Sequence, residues 1–208
     1  TDLDLEVRVR GGVTQALDTP FVVEYGAIKR LLPHIDSDEM AIHIGGDKAE
    51  LKFNGSEYAV PSYDANDFPK MEFEDTPKSN VGNMPLTDAI KAVRFAVSDE
   101  ETRYYLNGVC FTEDKDGQPG VVATEGHILA FKPIAFMPKG ALGKIVPKKT
   151  IDYLIRNSAN PTNCQFAEEK ARFALPGGMI TTKLICGTYP NWAEAVPKNV
   201  QPFLKIER

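Results

Sequence analysis

An α+β fold in which antiparallel strands far outweigh helices is what this sequence predicts, and three observations predict it. Short runs of two-residue alternation recur along most of the 208 residues, helical periodicity is confined to three stretches, and the pattern repeats after roughly 122 residues.

Composition sets the bounds. Apolar residues make up 42% and charged residues 25% of the chain, the profile of an ordinary globular protein. No apolar run approaches the roughly 20 residues of a membrane span, and no signal peptide opens the chain. The net charge of −5 argues against a generally basic nucleic-acid binder, although charge can be segregated between two faces. Cys110, Cys164 and Cys186 are odd in number, widely spaced and without a C-x-x-C pair. They are expected to be buried, reduced thiols of a cytosolic protein, not a zinc ribbon or a redox motif.

The opening "DLDLEVRVR" alternates strictly, with Leu3, Leu5, Val7 and Val9 facing one way and Asp4, Glu6, Arg8 and Arg10 the other. A half-buried strand follows; the interleaved arginines make Asp2, Asp4 and Glu6 its wet face and not a metal cluster. In "VEYGAIKRLLPHI", Ala27, Ile28, Leu31, Leu32 and Ile35 recur at helical spacing opposite Lys29 and Arg30, and Pro33 ends the helix early. Strands follow at "MAIHI", "AELKF" and "EYAVP", with His43 on an outer face. Residues 64–84 are rich in acidic, Pro, Ser, Gly and Asn residues and read as a connection between domains. A second helix, "LTDAIKAVRFAV", points Ile90, Val93 and Val97 inward and Lys91 and Arg94 outward. "RYYLNGVCF" and "GVVATEGHILAF" read as strands around "EDKDGQPG", a hairpin turn that lacks the further carboxylates of a calcium loop.

Comparing the chain with itself gives its organisation. "TDLDLEV" at Thr1 matches "TEGHILA" at Thr124, and "VEYGAIKRLL" at Val23 matches "VPKKTIDYLI" at Val146, both at offset 123. "DKAELKF" matches "EKARFAL" at offset 122, and Phe68-Pro69 matches Tyr189-Pro190 at offset 121. The first repeat is expected to lack its front half. The boundaries expected are 1–75 for the rear of one domain, 76–84 for a linker, 85–199 for a complete second domain and 200–208 for the start of an onward connection.

Three linked motifs then give a resemblance. "ETRYYLNG", "VATEGHILA" and "YPNWAEAVP" resemble, in order and spacing, the middle domain of the bacterial β sliding clamp, the processivity subunit of the replicative DNA polymerase. "ANDFP" is similar to the end of that family's first domain. The resemblance implies a DNA-clamp fold: helices on one side lining a ring, antiparallel sheets on the outside, and two subunits closed head to tail around duplex DNA. It implies a bacterial cytoplasmic, nucleoid-associated protein with no catalytic residue, metal or cofactor. Its partners are double-stranded DNA without sequence preference, polymerase subunits, the clamp loader and other proteins bearing clamp-binding peptides.

Carried over position by position, the resemblance implies a peptide groove of Leu106, Thr124, Gly126, His127, Ile128, Leu129, Pro190, Glu194 and Ala195. Ile128 and Glu194 stand where the family commonly has arginines, and Ala195 where it has a larger aliphatic, which implies a more apolar or more acidic groove. The DNA-facing set is Lys29, Arg30, Lys91, Arg94, Tyr104, Tyr105, Lys148, Lys149 and Arg156. Strand packing is an equal alternative for the two tyrosines. Two rival readings stand beside this one. The chain is a clamp-like peptide-binding adaptor that forms no ring, or Glu125 and His127, two apart on a strand, form the acid–base pair of a hydrolase.

Overall fold

Backbone hydrogen bonds gather the alternating runs into three antiparallel sheets, in a computed structural model that describes residues 3–12, 20–157 and 160–197. The chain divides into two units, residues 12–70 and residues 3–11 with 71–197. Thr1, Asp2 and the expected onward connection at 200–208 lie outside the described residues.

Strand β1 (Leu5–Val9) opens the chain and belongs to the larger unit. The smaller unit contains β2 (Phe21–Val23), α1 (Tyr25–Leu31), β3 (Ala41–Gly45), β4 (Lys48–Phe53) and β5 (Ser56–Asp64), in sheet order β2-β5-β4-β3. Ala49, Leu51 and Phe53 alternate inward and form the unit's core with Ala27 and Val60, against which Ile28 and Leu31 pack. Pro33 has no N–H to continue the helical ladder, so the chain tightens into a 3-10 turn at Leu32–His34, and Leu32, expected to face inward, is exposed. Asn54 and Gly55 both take positive φ, 53° and 72°, between the paired residues Phe53 and Ser56. A two-residue turn of that kind matches the twist of the hairpin it joins.

The larger unit continues with β6 (Ser79–Asn80), α2 (Leu86–Val93), β7 (Gly108–Glu113), β8 (Pro119–Thr124), β9 (Leu129–Pro133), β10 (Ile145–Pro147) and α3 (Lys148–Arg156). It ends with β11 (Asn163–Phe166), β12 (Lys170–Leu175), β13 (Gly178–Lys183) and the short helix α4 (Trp192–Ala195). Its two sheets run β10-β7-β8-β9 and β1-β13-β12-β11-β6. Helices α2 and α3 pack on each other, α2 also against β8 and β9 and α3 against β7 and β10. Ile90 and Val93 of α2, Ile151 and Leu154 of α3, Val109 and Phe111 of β7, and Val121 and Ala123 of β8 share one core with Phe166 and Phe173. The intervening residues Cys110 and Val122 point to the sheet's other face, where they form a separate apolar cluster.

The internal repeat is structural. The sequence β2-α1-β3-β4-β5 recurs as β10-α3-β11-β12-β13. Val22 faces Tyr63 where β2 meets β5, and Ile145 bridges Ile185 just beyond β13, the same pairing displaced by 123 and 122 residues. The α+β fold with strands in excess is therefore as expected.

Several local expectations need correction. Residues 3–11, expected to go with 12–75, instead pair as β1 along β13 from Leu5↔Thr182 to Val9↔Gly178, and Leu5 enters the larger core. Glu6 is buried, not wet: its carboxylate accepts the Met71 N–H at 2.7 Å and pairs with Arg8. Leu3 and Val9 are exposed. The expected linker 76–84 contains β6, paired to β11, and buries Val81 and Met84 in the core. The strand expected from Arg103 begins only at Gly108, because residues Glu101–Leu106 turn as a 3-10 segment. Finally, Cys110 and Cys164 are buried but Cys186 is exposed.

Candidate functional site

The turn between β8 and β9 holds its own backbone with its own side chains. Gly126 takes φ 107°, a conformation only glycine adopts without strain. Thr124 Oγ1 donates to the Ile128 carbonyl at 2.7 Å and accepts the Gly126 N–H at 3.1 Å. Glu125 Oε1 accepts the N–H groups of both His127 (2.8 Å) and Ile128 (2.7 Å). The carboxylate that could have been a general base is thereby engaged as a turn cap, while His127 is exposed. Among the described residues no group of three or more His, Cys, Asp and Glu could hold a metal ion.

Beside this turn lies an apolar bed on the sheet face opposite the helices. Cys110, Val122, Ile145 and Trp192 form its floor, and Tyr105, Leu129, Phe131, Ile185, Tyr189 and Ala193 pack on it half-buried. Trp192 stacks on Phe131 with centroids 4.8 Å apart, and its indole N–H donates to Thr112 Oγ1 at 3.3 Å. The Tyr189 hydroxyl accepts the Thr124 N–H at 2.9 Å, tying the α4 approach to the turn, and burial pushes its pKa up. Burial likewise pushes the Cys110 and Cys164 thiols up to about 12, so neither is a thiolate at neutral pH.

Of the nine expected groove residues, Thr124, Gly126, His127, Ile128 and Leu129 are contiguous in the turn and the start of β9. Leu129 belongs to the bed and Ile128 is exposed. Pro190 precedes α4, its carbonyl accepting the Trp192 N–H at 2.8 Å. Glu194 and Ala195 lie exposed on α4, and Glu194 accepts from Asn191 Nδ2 at 2.7 Å. Leu106 is buried and does not line the bed. Residue-by-residue reading missed the floor itself: Cys110, Val122, Ile145 and Trp192. The signal was the alternation in β7 and β8, where apolar residues occupy both faces and so require a cover on each.

The expected DNA-facing residues fall on or near the helices. Lys29 and Arg30 are exposed on α1 of the smaller unit, with Lys29 Nζ 6.0 Å from the Tyr25 ring centroid. In the larger unit Lys91, Lys149 and Arg156 are exposed. Arg94 forms a two-pronged ion pair with Asp152, Nε–Oδ1 2.5 Å and Nη2–Oδ2 3.0 Å, which bridges α2 to α3. That hydrogen bond raises the Arg94 pKa, and the guanidinium holds Asp152 below the usual carboxylate range. Lys148 pairs with Asp99. Two of the expected cations are thus offset by carboxylates, because Asp99 and Asp152 share their surface. Tyr104 is exposed and Tyr105 half-buried, edge to face at 5.8 Å.

Repeated strand–helix–strand units, with paired helices on one face of a sheet and an apolar bed on the other, are the architecture of a DNA clamp. The sliding clamp (DNA polymerase III subunit beta) of Bartonella birtlesii, solved with griselimycin, matches 95% of this chain and 56% of its own with a TM-score of 0.82 at 25% identity. The Helicobacter pylori clamp, solved with a DNA ligase peptide, shares the fold at a TM-score of 0.82 and 19% identity, over 96% of this chain and 57% of its own. Residues 80–191 match the family described as DNA polymerase III beta subunit, central domain, and the chain belongs to that family. The Caulobacter vibrioides beta sliding clamp is 32% identical across the whole of this chain, which spans 59% of that relative's length.

Proposed function

We propose that this chain acts within a DNA sliding clamp, the processivity factor of a bacterial replicative polymerase, working in the cytoplasm and closing as a homodimeric ring around duplex DNA. In this reading the larger unit, residues 71–197 with 3–11, supplies the middle domain, and the smaller unit, residues 12–70, the rear of the domain before it. A clamp makes and breaks no bonds; it holds the polymerase by topology. Lys29, Arg30, Lys91, Lys149 and Arg156 attract phosphates without reading bases, and Tyr104 and Tyr105 belong to the same DNA-facing set.

The single observation that carries the reading is the half-exposed bed of Tyr105, Leu129, Ile185, Tyr189 and Ala193 over a buried Trp192, bordered by the self-capped turn 124–128. Aliphatic and aromatic anchors of a short peptide fit such a floor, while backbone and polar groups at the rim fix its register. Polymerase subunits, the clamp loader and repair proteins would dock there. Ile128 and Glu194 replace expected cations at the rim, which favours peptides with neutral or basic flanks. Titration of the full chain with the DNA ligase peptide seen on the Helicobacter pylori clamp, followed by fluorescence polarisation, tests the site. Saturable binding that drops at least tenfold in Leu129→Asp, as expected for a central apolar anchor, supports it; binding unchanged by that substitution refutes it.

A further inference from the structure

The turn 125–128 is held from a second side. Residues Glu101–Leu106 kink at Arg103, where φ is −112° and ψ 48°. The Arg103 guanidinium lies over the β8–β9 turn: a Cβ placed on Gly126 would come within 2.7 Å of Arg103 Nη1 and 3.6 Å of Cζ. Arg103 Nε pairs with Glu100, three residues earlier. The hydrogen bond to Glu100 raises the Arg103 pKa, and the charges of Glu100 and Glu125 act in the same sense. Glu100, Arg103, Glu125 and His127 together border one open cleft. Glu125 and Thr124 hold the turn from within, and Arg103 covers it from outside.

We propose that Arg103 is a positioning residue for the groove: anchored by Glu100, it sets the height of the Gly126–Ile128 backbone at the rim. This rests on the peptide-groove reading above. Gly126 serves two purposes in that case, its positive φ and the space its missing Cβ leaves for the guanidinium. The planar group lies across that space, which an ammonium does not fill equally. Arg103 also directly precedes Tyr104 and Tyr105, so the same kink that places the tyrosines places the guanidinium on the rim.

The test is a double-mutant cycle in the full chain. Wild type, Arg103→Ala, Gly126→Ala and the double variant are titrated with the same DNA ligase peptide, with thermal unfolding recorded for each. Arg103→Ala is expected to weaken the peptide roughly fivefold, in the range of coupling between touching residues, with Tm held within about 2 °C. Arg103→Lys recovers part of the loss. Gly126→Ala is expected to cost more affinity in the otherwise wild-type chain than in the Arg103→Ala background, because removing the guanidinium relieves the overlap. Peptide affinity unchanged in Arg103→Ala, or losses that multiply as independent factors, overturns the proposal. Should Arg103→Ala lower Tm further, Glu100→Gln, which loosens the anchor alone, is read by the same criterion. A wild-type chain that binds no peptide is a distinct result, which removes the groove reading and this proposal with it.

Discussion

The Glu125–His127 pair shows how much a single residue's chemistry depends on its backbone. Two positions apart in an apolar run, the pair admitted acid–base chemistry; the fold spends the carboxylate on two N–H groups. Nothing in residue identity distinguishes these outcomes, since they differ only in whether the chain turns at Gly126. Gly108 offers a sharper residue-scale test. A Cβ there would lie 2.4 Å from the Val146 carbonyl oxygen and 2.9 Å from Ile145 Cγ2, where β7 pairs with β10. Gly108→Ala is expected to cost about 1–3 kcal/mol, the usual cost of overpacking, read as a Tm lowered by several degrees. An unchanged Tm would show that β10 can shift away freely.

Among elements, α1, α2 and α3 were legible because helical periodicity alone specifies an inward face, and β3 to β5 because strict alternation does the same for a strand. Partners were less legible. The alternation of β1 announced a strand but could not say that its backbone would pair with β13, 169 to 177 residues away. Its assignment to the first repeat followed the match of "TDLDLEV" to "TEGHILA", which does not say which strand its backbone pairs with. Hydrogen exchange is expected to protect the amides of Leu5 to Val9 to the same degree as those of β13; protection matching that of β3 would contradict the pairing.

The Arg94–Asp152 bridge between α2 and α3 was invisible for a similar reason, as the two are 58 residues apart. Asp152 has its pKa depressed in the fold, chiefly by the hydrogen bond from Arg94. The bridge's contribution is therefore complete above the ordinary carboxylate pKa, about 3.9, and is lost as pH falls through the lower folded value. Both side chains are about a third exposed, so solvent screening limits the contribution to roughly 1 kcal/mol or less. Asp152→Asn should lower Tm slightly at pH 7, and by progressively less as pH falls below the ordinary carboxylate value; an effect that does not shrink with falling pH would mean the pairing is not electrostatic.

At the scale of the whole molecule the repeat was the decisive signal. Four short blocks at offsets of 121 to 123 residues foretold that β2-α1-β3-β4-β5 and β10-α3-β11-β12-β13 share one plan, although few residues are identical. The same register places the polar faces of α1 and α3 in equivalent positions, which is why the phosphate-facing role is assigned to helices and the peptide role to the opposite face of a sheet. Asp99 and Asp152 offset Lys148 and Arg94. In the clamp reading proposed above, these two ion pairs lower the cationic charge on the helices, and retention on DNA is expected to come from topology. The direct test loads the full protein, with its clamp loader, onto nicked circular DNA and onto the same DNA linearised, then washes both at high salt. Retention on the circle with release from the linear form is the predicted result. Equal retention on both, or loss from both as salt screens the phosphates, would contradict the sliding-clamp account.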